Sequence, residues 1–284
     1  MSENCNHNCE NCSENCAQRD PKSFLEAPNA LSSIKKVVAI MSGKGGVGKS
    51  LVSGELAVML SRMGYRVGVL DADITGPSIP RMFGIHDKAL GDGEHIFPAE
   101  TEKGIEVMSI NLMLENDDAP VIWRGPVIAG AVKQFWEDVA WGELDVMVID
   151  MPPGTGDIQI TMSQKIDFSG AVIVSTPQDI ALIDAVKGLN LFNKIGVPVL
   201  GVVENMSYYI CEKCGHRADI FGHAGAEKTA EKYGVDFLGE IPLHYDIRAN
   251  ADNGTPIVQS APDSSYAKAY ENIAVRIAAK LKLR

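Results

Sequence analysis

Gly43-Lys44-Gly45-Gly46-Val47-Gly48-Lys49-Ser50 is the stretch that decides the fold. It matches G-x-x-x-x-G-K-[ST], and its flanks are those such a loop needs. Before it lies the apolar run Val37–Met41. After it, Val52, Leu56, Met59, Leu60 and Met63 recur at helical spacing up to Gly64, a plausible C′ terminator. Strand, glycine loop and helix start, in that order, form an anion cradle. The glycines let backbone N–H groups face a phosphate, and the helix N-terminus adds a favourable field. Lys49 is expected to reach the β- and γ-phosphates and the Ser50 hydroxyl to hold Mg²⁺, so the expected ligand is ATP with Mg²⁺.

Working outward, Val67–Leu70, Val146–Asp150, Ala171–Ser175 and Val199–Val203 are near-continuous apolar runs. Such runs suit parallel strands buried on both faces. Pro126 to Trp141 and Asp179 to Ile195 read as helices between them. The alternation predicts an α/β P-loop fold, a mostly parallel sheet with helices on both faces. Residues 85–120 are less regular, and there is no internal repeat. The division expected is a cysteine-rich tail and linker over 1–33 and one ATPase domain over 34–284. Residues 1–20 hold no apolar side chain beyond Met1, Ala17 and the cysteines, so they are expected to stay mobile unless a ligand orders them. Residues 21–34, with Pro21 and Pro28, read as a linker with a possible short helix.

Ligands of open α/β sheets bind beyond the carboxyl ends of the strands. Asp71 and Asp73, in DADITGPS, follow one such end, and Asp150, in VMVIDMPPGTGD, ends another. Asp150 reads as the carboxylate that acts on Mg²⁺ through water. Which of Asp71 and Asp73 positions water or metal is open at this stage. Asp157 either belongs to the loop Met151–Gly156 or caps the helix after it.

The chain has 284 residues, with 26 Lys and Arg against 37 Asp and Glu, a net charge of −11. That balance argues against a non-specific nucleic-acid binder. No stretch is long and apolar enough for a membrane span, and the N-terminus has no signal-peptide core, so a cytoplasmic location is expected. The six cysteines then point to metal rather than to disulfides. Cys211-Glu-Lys-Cys214-Gly-His216 is a redox pair, half a zinc site or half a cluster site. Two thiolates cannot complete a four-ligand centre, whereas a symmetric dimer supplies four. His216 is a further candidate ligand or an ordinary solvated histidine. Cys5, Cys9, Cys12 and Cys16, spaced C-x3-C-x2-C-x3-C, can wrap one iron–sulfur or Zn²⁺ centre within one chain.

KGGVGKS resembles the deviant Walker A of the MinD/ParA/nitrogenase-iron-protein class. That resemblance implies that Lys44 acts across a homodimer interface, that Asp71-x-Asp73 is a switch I element and that Met151–Asp157 is a switch II. SGKGGVGKS, DADITGPSIP, Ile122-Trp123-Arg124-Gly125-Pro126, IDMPPGTGD and ENMSYYICEKCG together resemble the Mrp/ApbC/Nbp iron–sulfur cluster carrier ATPases, in order, from about Ile34 to near the end. This implies a homodimeric cytosolic ATPase. It would bind a labile [4Fe–4S] cluster through Cys211 and Cys214 of both subunits, pass it to apo-proteins, and contact adenine through Asn205. The N-terminal cysteines resemble the four-cysteine site of Nbp-type members, with shorter gaps. The competing readings are a positioning ATPase, a reductase like the nitrogenase iron protein and a zinc adaptor. The first would use the C-terminal Ile273, Val275, Ile277, Leu281 and Leu283, interleaved with Arg276, Lys280, Lys282 and Arg284, as a membrane helix; the bland reading docks that helix on the domain.

Overall fold

The computed structural model of the chain describes residues 25–74, 76–114 and 125–283. Cys5, Cys9, Cys12, Cys16, Ile122, Trp123 and Arg124 lie outside these residues. The strands that position the site are β1 (Val37–Met41), β2 (Val67–Asp71), β3 (Ala99–Glu100), β4 (Glu106–Met108), β5 (Val146–Asp150), β6 (Gly170–Ser175), β7 (Val199–Glu204), β8 (Tyr209–Ile210), β9 (Arg217–Ala218) and β10 (Phe237–Glu240). The helices are α1 (Lys49–Arg62), α2 (Ile79–Met82), α3 (Gly125–Glu137), α4 (Asp157–Lys165), α5 (Asp179–Ile195), α6 (Gly225–Tyr233), α7 (Tyr245–Asp252), α8 (Ile257–Ser260) and α9 (Ser265–Leu281).

The main sheet has the order β10-β7-β6-β1-β5-β2-β4-β3 and is parallel except for β3. Its central strands β1, β2, β5, β6 and β7 are almost continuously apolar because each serves two cores. In β1, Val38 and Ile40 join the core under α1 and α9, where Leu56, Leu60, Ile273 and Ile277 are buried. Val37, Ala39 and Met41 face the other way, onto Trp136 of α3, Met162 of α4, Phe192 of α5 and Ala230 of α6. Each such aliphatic side chain contributes about 1.5–3 kcal/mol when fully buried. The expected α/β sandwich is therefore the observed one. The strands match their expected spans to within one residue, and α5 matches in full.

Two local expectations fail for visible reasons. The helix expected to run to Trp141 ends at Glu137. Beyond it the backbone pairs with Ile96, whose N–H donates to Asp138 and whose carbonyl accepts from Ala140. Residues 25–34 contain no helix. They run along the domain with a turn at Asn29–Ser32, Glu26 bonded to Lys165, Asn29 buried and Ser33–Ile34 paired to Glu143–Leu144. The C-terminal helix α9 buries Ile273, Ile277 and Leu281 in the core, while Arg276 donates to the Phe237 carbonyl. Among the described residues no helix is long and apolar enough to cross a membrane.

Candidate functional site

The glycine loop joins β1 to α1 at the carboxyl edge of the sheet. Gly48, at φ +80°, is the N-cap of α1 and has no side chain to satisfy the first-turn N–H groups, which stay available to an anion. Two of the glycines are required by space. A Cβ on Gly43 would sit 2.1 Å from the backbone of Asp184 in α5, and one on Gly48 would sit 2.1 Å from Asn205 Nδ2. Gly45 and Gly46 instead face open space. Val47 is buried and anchors the loop in the core. A cavity of about 710 Å³ opens over the loop, lined on one side by Lys49, Ser50 and Asp73 and on the other by Asn205, Leu243 and His244.

Charge is concentrated beneath this cavity. Lys49, 6% exposed, donates to Asp150 Oδ2 at 2.7 Å, and the Ser50 hydroxyl donates to the same oxygen at 2.6 Å. Asp71 and Asp150 are register partners on adjacent strands and are both fully buried. Burial, and then the charge of Asp150, push the Asp71 carboxyl up to about 7. The two aspartates of DADITGPS have different surroundings. Asp71 accepts the N–H groups of Asp73, Ser78 and Ile79 and the Ser109 hydroxyl, so it anchors the loop after β2. Asp73 lines the cavity, 4.0 Å from Lys49 Nζ. Two buried carboxylates and one paired lysine leave an electron-rich floor beside the Ser50 hydroxyl. That oxygen-rich donor set fits a hard divalent cation such as Mg²⁺.

The loop after β5 is tied to the glycine loop, since Gly154 N–H donates to the Ser42 carbonyl at 2.9 Å. Gln159, buried in α4, donates to the carbonyls of Pro152 and Pro153. Asp157 is the first residue of α4, and Gly156 occupies the N-cap. The capping alternative for Asp157 therefore gives way to an acid in the first helical turn, exposed at the loop. Lys44 lies in the loop partly exposed and forms no ion pair among the described residues.

Asn205 follows β7 and is almost fully buried, its Nδ2 donating to the Val47 carbonyl at 2.8 Å. The cavity wall continues through Met206, held at φ +53°, and through Ile247, Arg248 and Asp252 of α7. Asn205 and Met206 belong to the ENMSYYICEKCG segment, whereas Ile247, Arg248 and Asp252 belong to no sequence motif. His244 caps α7 through Nδ1 and stacks on Tyr266, and its Nε2 lies 3.9 Å from Glu212.

Glu212 belongs to the cysteine hairpin. β8 and β9 are antiparallel and close on the turn Cys211–His216. Cys211 N–H donates to the His216 carbonyl, Gly215 N–H donates to the Cys211 carbonyl, and Gly215 takes φ +69°. N–H groups of Cys214 and Lys213 point at the Cys211 sulfur and lower its pKa. A thiolate held this way is prepared as a metal ligand. Cys211 is half-buried, Cys214 is exposed, and both are free thiols. His216 is exposed. Among the described residues, no group of three or more His, Cys, Asp or Glu is arranged to hold a metal. The hairpin is fastened to the cavity wall. Leu243 N–H donates to the Tyr208 carbonyl, Arg217 grips Glu240 with two bonds, and the Ser207 hydroxyl sits between Glu204 and Glu240.

Known proteins resemble this chain in sequence and fold. Residues 33–278 match the ParA family, described as the NUBPL iron-transfer P-loop NTPase. The iron–sulfur cluster carrier protein of Haemophilus influenzae is 50% identical over 254 residues, 89% of this chain and 68% of that one. Among solved structures, the nucleotide-binding protein of Archaeoglobus fulgidus in complex with ADP is 40% identical. It superposes with a TM-score of 0.72 over 84% of this chain and 92% of that one. The cell-division ATPase MinD of Pyrococcus furiosus, 24% identical with a TM-score of 0.63 over 86% and 98%, shares the fold.

Proposed function

The chain belongs to the ParA family of NUBPL iron-transfer P-loop NTPases, and on that footing we propose that it is a homodimeric, cytoplasmic ATPase that carries a [4Fe–4S] cluster to apo-proteins. The observation that carries this reading is a two-thiol hairpin fastened to the wall of the cavity over the glycine loop. The family accounts for both elements. A zinc adaptor needs no glycine loop, a reductase like the nitrogenase iron protein would hold its cluster on widely separated cysteines rather than on two from one turn, and membrane positioning would need Ile273, Ile277 and Leu281 of α9, which are buried.

In this mechanism the loop N–H groups and Lys49 hold the phosphates of ATP. Ser50, with Asp150 acting through water, would hold Mg²⁺, which would supply charge neutralisation at the phosphates. Asp71, behind them, anchors the switch I loop, and Asp73, on the cavity, orients the attacking water. Lys44 reaches the nucleotide of the second copy, and Asn205 turns from Val47 toward the adenine. Cys211 and Cys214 of the two copies together supply four thiolates to the cargo cluster. Loss of the γ-phosphate relaxes the loops around Asp73 and Asp157. The wall from Asn205 to Tyr208 passes that change to the hairpin, and the cluster is released to an acceptor. Cys5, Cys9, Cys12 and Cys16 hold a second [4Fe–4S] cluster or Zn²⁺.

Anaerobic reconstitution with iron and sulfide tests this. The double variant Cys211→Ala/Cys214→Ala is expected to lose the bridging cluster while its ADP affinity stays within about twofold of wild type, the two sites sharing no ligand. Full iron retention by the double variant would remove the hairpin from the account.

A further inference from the structure

The carboxylate of Asp150 has two oxygens with different partners. Oδ2 accepts from Lys49 Nζ and from the Ser50 hydroxyl. Oδ1 accepts from the Ser53 hydroxyl at 2.6 Å. Asp150 and Ser53 are both fully buried, so water is no substitute donor. Ser53 follows Ser50 by three residues on α1, which brings both hydroxyls to the helix face against β5. The Ser53 oxygen also lies 3.1 Å from the Lys49 carbonyl. A hydroxyl has one proton to give, and the shorter bond to the charged carboxylate takes it.

These donors do not share the same obligations. When Mg²⁺ and ATP bind as proposed above, Lys49 turns to the phosphates and Ser50 to the metal, so both leave Oδ2. Ser53 has no such second task, and it lies outside the loop motif, which ends at Ser50. We propose that Ser53 is a positioning residue for Asp150: it keeps hold of Oδ1 in every nucleotide state and so keeps Oδ2 aimed at the Mg²⁺ position. This rests on reading the cavity as a Mg²⁺–nucleotide site. Without Ser53, the fully buried Oδ1 has no donor among the described residues, and once Lys49 and Ser50 have left Oδ2 the group is free to rotate away from the metal.

The test uses the full chain, ADP and Mn²⁺ as a paramagnetic probe. In wild type and Ser53→Ala, ADP affinity is measured in EDTA, and Mn²⁺ affinity of the ADP complex is measured by electron paramagnetic resonance. Ser53→Ala is expected to bind ADP in EDTA like wild type. Its Mn²⁺ affinity is expected to fall about tenfold, the effect of deleting one hydrogen bond to a buried charge. Mn²⁺ affinity within twofold of wild type would overturn the proposal. So would an equal loss of metal-free ADP binding, which marks a packing role. If wild type itself bound no ADP, the nucleotide-site reading would fall, and the proposal with it.

Discussion

Asn205 lines the cavity over the glycine loop and Cys211 opens the proposed cluster half-site, with only Met206–Ile210 between them, yet the two regions are built on opposite lines. Around the glycine loop the polar groups are buried and mutually bonded. Lys49, Ser50 and Ser53 all converge on one fully buried carboxylate. Such a site is preorganised because its charges have few alternatives. On the hairpin Cys214 is exposed and Cys211 half-buried, and no third ligand accompanies them among the described residues. A binding site meant to keep its ligand is made like the first. A site meant to hand its ligand on is better made like the second, reachable by an acceptor and complete only while two copies stay together. Lys44 belongs to the nucleotide region but shares the hairpin's incompleteness, being partly exposed and without an ion pair among the described residues.

The sharpest way to break this contrast is at Lys44. Lys44→Ala is expected to lower ATP hydrolysis by about 100-fold, as for removal of one transition-state contact. Mixing it with Lys49→Ala protein should restore activity, since one site of each mixed dimer then has its own Lys49 and the partner's Lys44. No recovery on mixing would mean that the nucleotide site is complete in one chain after all.

A second prediction concerns pH and only the buried region. Glu55 of α1 is fully buried and accepts the N–H groups of Ile257 and Val258, and burial raises its pKa from 4.5 to about 7. The unfolded chain loses this proton near pH 4.5 and the folded chain near 7. Between those values the folded state binds more protons, so stability falls as pH rises and levels off above 7. Glu55→Gln should flatten the urea-unfolding stability curve between pH 5 and 8 by up to about 3 kcal/mol. A slope equal to wild type would contradict it. Alkylation of Cys211 and Cys214 should be unaffected.

The smallest effect is expected on the exposed side. Arg217 binds Glu240 and stacks over Tyr208 at 3.9 Å, but it is 40% exposed. Arg217→Met should cost the domain less than about 1 kcal/mol by thermal unfolding. It should nevertheless speed proteolytic cleavage within Cys211–His216, because the strut secures the hairpin rather than the core. Unchanged cleavage would place the fastening elsewhere.

The parallel strands were legible in the sequence because a strand buried on both faces has to be continuously apolar, as Val37–Met41 and Val146–Asp150 are. The glycine loop was legible because phosphate geometry demands glycine at fixed offsets. Helix ends were less so. Nothing around Trp141 signals that Ile96, far away in sequence, will claim the backbone after Glu137. The two aspartates of DADITGPS look alike on paper, and only the fold puts Asp71 under the loop and Asp73 on the cavity. His244, Arg248 and Asp252 line the cavity from a short helix and its cap, which have no special pattern, since a wall that makes shape contacts needs no fixed residue type. Ser53 escaped for a related reason, as it lies on a helix and its partner Asp150 on a strand about a hundred residues on, which helix spacing alone does not reveal.

The central claim is that the cysteine pair is half of a site. It is tested most directly by counting iron and chains together. Protein with Cys5, Cys9, Cys12 and Cys16 changed to serine is reconstituted anaerobically, separated by size and assayed for iron. The account predicts about four irons for every two chains, all in the dimer fraction. Four irons held by a monomer, or the same iron content after Cys211→Ala/Cys214→Ala is added, would contradict it.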